Sequence, residues 1–122
     1  MKTVFLLLFL SLAGLAHGQT EHEISAQTLL QAPADYQIVD VRSAEEYAQG
    51  HVPGAINLPH DQIAELAQAQ LVASGKPVVL YCRSGRRAQL AAEALQALGY
   101  DNLLHLSGDM QGWQDAGHPT QP

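Results

Sequence analysis

The chain has one cysteine, Cys82, in 122 residues, and only six basic residues against twelve acidic ones. A single thiol closes no internal disulfide, so the fold must stand on its own core. The shortage of positive charge excludes nucleic acid and anionic membrane surfaces as natural partners. One cysteine and histidines scattered at His22, His105 and His118 give no metal-ligand spacing, so no zinc or iron centre and no cofactor is implied. No apolar run reaches the roughly 20 residues that a bilayer span needs. Internal repeats and low-complexity segments are lacking too.

What is present begins with a leader. Met1-Lys2-Thr3 carries a positive charge, Val4 to Leu15 is apolar apart from Ser11 and Gly14, and Ala16-His17-Gly18 supplies small residues at the positions a signal peptidase reads. Residues 1–18 are therefore expected to be a signal peptide cleaved before Gln19, with a membrane anchor as the weaker reading. The protein is expected to be exported, to the periplasm if the source is a Gram-negative bacterium and otherwise to the medium. The remaining residues, 19–122, keep five basic residues against twelve acidic ones, a net charge of −7. That length makes one domain, able to bury about two-thirds of its unfolded surface. Nothing in the pattern demands a dimer.

Strand and helix signals alternate. Ser25 is placed to cap a short helix over Ala26 to Gln31 ahead of Pro33, and Gln37 to Val41 reads as a strand. Ser43 with Glu46 has the form of a capping box for a helix ending near Gly50. His51-Val52-Pro53-Gly54 is turn chemistry, and Ala55 to Leu58 reads as a short strand stopped by Pro59. Asp61 is expected to cap a helix with Ile63, Leu66, Ala67 and Leu71 on one face, before the break at Ser74-Gly75-Lys76. Pro77 to Tyr81 shows little alternation, which suits a strand buried on both faces. Ala91, Ala94, Leu95 and Leu98 mark a helix stopped at Gly99, and Asn102 to Leu106 a last strand. Beyond Gly108 the chain reads as a polar tail. The expected fold is α/β, a single domain with a mostly parallel sheet flanked by helices.

Three of the six basic residues lie in Arg83-Ser84-Gly85-Arg86-Arg87, directly after Cys82. In a parallel α/β sheet this point, where a strand runs into a helix, is where binding sites gather. Backbone N–H groups of a loop curling into a helix start would converge on the sulfur, lowering its pKa and offering an anion site. Gly85 supplies the freedom for a tight turn and Ser84 a hydroxyl donor. Arg83, Arg86 and Arg87 cannot all point the same way, and which of them would touch an anion is open. An inert thiol in a solvated loop is the alternative, disfavoured by so dense a cluster of charge.

These residues resemble the rhodanese family. Asp40-Val41-Arg42, Glu45-Glu46-Tyr47 and Gly50 to Pro59 look like its upstream signature, and Val79 to Arg87 like its active-site strand and loop. Leu106-Ser107-Gly108, Gly112-Trp113 and Ala116-Gly117 with Pro119 look like its closing segment. Size and leader are similar to the single-domain exported rhodaneses of the phage-shock type. The resemblance implies a thiosulfate sulfurtransferase in which Cys82 takes the outer sulfur of thiosulfate or a similar anionic donor as a persulfide and passes it to cyanide or a thiol. Arg83, Ser84, Gly85, Arg86 and Arg87 would bind the donor.

Asp109 departs from the family pattern, which often has a second glycine after Gly108; its carboxylate would either repel an anionic donor or face solvent. Asp40 and Arg42 read as a structural cap and ion pair ahead of site lining. His51 is expected to hydrogen-bond backbone, His60 to border the pocket, and Trp113 to pack in the core or rim the site. One rival reading is a phosphatase or arsenate reductase, but Arg87 follows Cys82 after four residues rather than five, and Tyr81 stands where that pattern has histidine. A second is a non-enzymatic persulfide carrier, which needs the same thiol.

Overall fold

Val78, Val79, Leu80 and Tyr81 are all buried, as an unbroken apolar run at the centre of a sheet must be. This computed structural model describes residues 22–71 and 75–122; the expected leader, its cleavage point and Ser74 lie outside them. Five strands, β1 (Glu23–Ile24), β2 (Gln37–Asp40), β3 (Ile56–Asn57), β4 (Val78–Tyr81) and β5 (Leu103–Leu106), form one sheet in the order β1-β5-β4-β2-β3. Every pairing is parallel. The predicted α/β architecture is therefore the observed one.

Strand alternation splits the core into two layers. Val39, Val78, Leu80 and Leu103 face one side with Leu58 and the helices α3 (Ile63–Gln70) and α4 (Arg86–Ala97), which contribute Ile63, Ala67, Ala91 and Leu95. Ile38, Val79, Tyr81 and Leu106 face the other, packed with Leu29 of α1 (Ala26–Gln31) and with Met110 and Trp113. The short helix α2 (Ala44–Ala48) follows β2 and has no buried residue.

Local signals explain most boundaries. Ser25 Oγ accepts from the Thr28 N–H at 3.1 Å, and Ser43 and Glu46 form the reciprocal capping box. Asp61, in contrast, does not cap α3: its N-cap is Gln62, with no side-chain hydrogen bond, and Leu66 N–H bonds the Gln62 carbonyl instead. Leu98 is exposed, because α4 ends at Ala97 and the helical stripe stops with Leu95. The larger correction lies past Gly108. The expected polar tail is a helix, α5 (Asp109–Asp115), which buries Met110 and Trp113. Burial of those two side chains outweighs the glycine-rich composition. The residues after it are also pinned, by Trp113 Nε1 donating to the Pro119 carbonyl at 2.7 Å and by paired backbone bonds between His51 and Gln121.

Candidate active site

Asp40 and Tyr81 are neighbours in register at the carboxyl ends of β2 and β4, so Val41 and Cys82 leave the two strands side by side at that edge, with Arg42 one residue further on. Asp40 is fully buried. Arg42 Nε reaches its Oδ1 and Oδ2 at 3.0 and 3.1 Å, and Nη2 reaches Oδ2 at 2.7 Å and the Gly50 carbonyl at 2.8 Å. Tyr81 Oη donates to Asp40 Oδ2 at 2.8 Å and accepts from the Val52 N–H at 3.0 Å. Burial opposes the charge on Arg42, but the hydrogen bonds and field of Asp40 prevail and raise its pKa. Burial, then the nearby Asp40 charge, raises that of Tyr81. This is the structural ion pair the sequence suggested, now seen as a brace across the two central strands.

Cys82 is the floor of the site, 1% exposed. The Gly85 N–H donates to its Sγ at 2.9 Å, and Gly85, at φ +121°, is the N-cap of α4. That backbone conformation is one a side chain would resist, and it is what turns the amide toward the sulfur. The peptide on either side of Cys82 is held from α5. The Met110 N–H bonds the Cys82 carbonyl at 2.9 Å, the Gln111 N–H bonds the Arg83 carbonyl at 3.2 Å, and the Cys82 N–H donates to Asp109 Oδ1 at 3.0 Å.

Asp109 therefore neither faces solvent nor lines an open donor path; it is 3% exposed and lies under the loop. Its φ of +55° also accounts for the glycine often found at this position, since the backbone there is left-handed. His105 Nε2 meets its two oxygens at 2.9 and 3.0 Å, and His105 Nδ1 meets Glu23 Oε2 at 3.4 Å. Ser107 Oγ donates to Glu23 Oε1 at 2.8 Å. The Asp109 hydrogen bond, against the cost of burial, raises the pKa of His105; the bond from Ser107, then that from His105, lowers that of Glu23.

The basic residues diverge, as a tight loop requires. Arg83, Ser84 and Arg86 are exposed, and Arg83 borders a polar pocket of about 280 Å3 with Arg42, Glu46 and Gln111. Arg87 instead forks onto Glu46 of α2, at 2.7 and 3.0 Å. That bond, ahead of the Ser43 contributions, holds the Glu46 carboxyl down at about 2, and it raises the pKa of Arg87, with the neighbouring Cys82 and Asp40 contributing. Arg87, expected among the donor-binding residues, is thus engaged by Glu46.

The remaining candidates are placed as follows. His51 Nδ1 lies 2.9 Å from the Tyr47 carbonyl, and its ring stacks on Tyr47 at 3.7 Å, the backbone role anticipated. Trp113 is core. His60 borders neither the polar pocket nor the groove described below; its N–H bonds the Val41 carbonyl. Among the described residues there is no cluster of three or more His, Cys, Asp or Glu able to hold a metal. Sequence reasoning weighed His105 only as a metal ligand and gave Glu23 no role, because their partnership depends on strands distant in sequence.

A parallel sheet whose central strand ends in a cysteine cradled by a loop amide defines a thiol-based site at a strand–helix junction. Residues 25–116 match the rhodanese-like domain family, and the chain belongs to that sulfurtransferase family. It is 36% identical over 101 residues to a sulfurtransferase of Allochromatium vinosum, covering 80% of this chain and 92% of that one. It is also 36% identical over 70 residues to the thiosulfate sulfurtransferase PspE of Escherichia coli, covering 57% and 67%. An uncharacterized Synechocystis protein, slr1261, is 36% identical over 106 residues, which span 84% of this chain but only 57% of the relative. Among solved structures, a rhodanese-related protein from Thermoplasma volcanium superposes with TM-score 0.71 at 28% identity, covering 83% of this chain and 98% of that one. A rhodanese with anions from E. coli gives 0.57 at 32% identity, covering 70% and 96%.

Proposed function

We propose that the protein is a thiosulfate sulfurtransferase whose nucleophile is Cys82. The observation that carries this reading is the Gly85 N–H aimed at Cys82 Sγ at the carboxyl end of β4. The thiolate attacks the outer sulfur of thiosulfate, a new S–S bond forms, the S–S bond of the donor breaks, and its electron pair leaves on sulfite. Cyanide or an acceptor thiolate then attacks the outer sulfur of the persulfide, restoring the Cys82 thiolate and releasing thiocyanate or a new persulfide. No general acid is needed, because sulfite departs as an anion.

The Gly85 amide holds the sulfur, and the exposed guanidinium groups of Arg83 and Arg86 attract the donor and offset charge building on the sulfite portion. Burial of Cys82 favours a donor that presents a single narrow terminal atom, as thiosulfate does. The PspE relative is a thiosulfate sulfurtransferase, which supports this choice of donor. Mass spectrometry of the protein after thiosulfate treatment should show one added sulfur atom on Cys82, and Cys82→Ser should abolish thiocyanate formation. Retained activity in the serine variant would refute the assignment of the nucleophile. Rapid turnover separates an enzyme from a persulfide carrier, which would load sulfur but release it slowly.

Export is proposed on the leader at residues 1–18. The intact mass of protein recovered from an extracytoplasmic fraction should correspond to a chain beginning at Gln19. Recovery of the uncleaved chain from the cytoplasm would overturn this.

A further inference from the structure

His105 sits where three chain segments meet the cysteine loop. It projects from β5 toward Glu23 of β1 on one side and Asp109 of α5 on the other, at the rim of a groove of about 980 Å3 that runs along α4 and reaches Gly85. Both ring nitrogens face carboxylates. A neutral imidazole has one N–H and one lone pair, so it can donate to only one of them; the imidazolium donates to both. The Asp109 carboxylate that receives one of these bonds also receives the Cys82 N–H. Its other oxygen lies 3.3 Å from the position a side chain on Gly85 would occupy. The carboxylate is thus wedged against both residues that form the sulfur cradle, the one presenting Sγ and the one bonding it.

We propose that His105, acting through Asp109, is a positioning residue of the site: as the imidazolium it clasps the carboxylate that fixes the Cys82 peptide and cancels the negative charge lying under the anion-binding loop. This rests on the sulfur-transfer reading above. When His105 loses its proton, Asp109 keeps its place beneath the loop with no cation to balance it, and a dianionic donor is repelled. The other ionisable groups around the ring do not supply the missing charge. The ring itself meets Glu23 of β1 and Asp109 of α5, and the groove it rims is lined further by His22, by Glu93 of α4 and by Tyr100 and Asp101 of the segment before β5. Asp109 first, and then Glu23, hold the His105 proton above the ordinary imidazole range against the cost of burial.

The first half-reaction, sulfite release on addition of thiosulfate, isolates the donor step across pH 6 to 9. The full chain should show a half-saturating thiosulfate concentration that rises at least about fivefold as His105 deprotonates, with a smaller change in the limiting rate. Asp109→Asn keeps an oxygen for the Cys82 N–H but removes the charge, so its thiosulfate requirement should stay low and lose this pH dependence. His105→Gln should sit at the high-pH value throughout. An alkaline rise that persists unchanged in both variants overturns the proposal, as does an Asp109→Asn requirement as high as that of His105→Gln. Nitrogen-15 NMR provides a readout without turnover. The His105 ring should titrate above 6.5 and the Cys82 amide resonance should follow the same midpoint; in Asp109→Asn the ring should return toward 6.5. A Cys82 amide indifferent to that titration sinks the positioning role even if His105→Gln fails to fold. A chain that releases no sulfite at any pH, yet shows the coupled titration, instead counts against sulfur transfer and leaves the His105–Asp109 coupling standing.

Discussion

Tyr81 Oη donates to Asp40 Oδ2 at 2.8 Å, joining the last residues of the two central strands beside the cysteine loop. The same Asp40 balances Arg42, so one buried carboxylate serves a phenol and a guanidinium. Removing it with Asp40→Ala leaves a buried cation unpaired and is expected to cost about 3–5 kcal/mol. Tyr81→Phe keeps the packing but strands the Val52 N–H, and should cost about 1–3 kcal/mol. Denaturant unfolding of both variants measures the difference; equal losses would contradict a network centred on Asp40.

Arg87 and Glu46 join α4 to α2, and Arg83 and Arg86 remain free to meet a donor. Arg83→Ala and Arg86→Ala are expected to raise the thiosulfate KM severalfold with little change in melting temperature. Arg87→Ala should lower the melting temperature as well, since it releases the capped start of α2.

The Glu46 carboxyl is depressed to about 2, mainly by its bond from Arg87. A depressed carboxylate contributes stability that is present above its ordinary value near 4.5 and is lost as pH falls toward 2. Unfolding measured between pH 5 and 2 should therefore show a loss that Arg87→Ala reduces. An identical acid profile in the variant would remove this pair from the account.

His105 behaves in the opposite sense. Its pKa is raised by Asp109, so its contribution is complete below 6.5 and declines as pH rises through the higher folded value. The stability of the wild-type chain should fall as pH rises above 6.5, by an amount that Asp109→Asn reduces.

Gly85 combines φ +121° with a neighbouring carboxylate oxygen 3.3 Å from a Cβ at that position. Gly85→Ala should lose about 1–3 kcal/mol of stability and most sulfur transfer, because relief of strain turns the amide away from Cys82 Sγ. A variant with full activity would show that this amide is dispensable.

Much of this site was legible in the chain. The cluster Arg83-Ser84-Gly85-Arg86-Arg87 after a buried apolar run located the cysteine loop, and Ser25, Ser43 and Glu46 announced their helices through short-range capping chemistry. α5 was not legible, because Gly108, Asp109 and Gly112 carry loop propensities and the burial that holds the helix comes from the far side of the sheet. Asp61 misled for the converse reason: it has the composition of a cap, but the turn before α3 directs it into solvent.

The sequence by itself determined what depends on neighbours along the chain: strand and helix periodicity, two helix caps, the lone thiol and the arginines beside it. Only the tertiary structure decided which of those charges are already engaged. Arg87 meets Glu46 across 41 positions and His105 meets Glu23 across 82, while the Cys82 N–H reaches Asp109 across 27. Parallel strands bring such residues together at one sheet edge through long crossovers, so their pairing is a property of topology and not of local spacing.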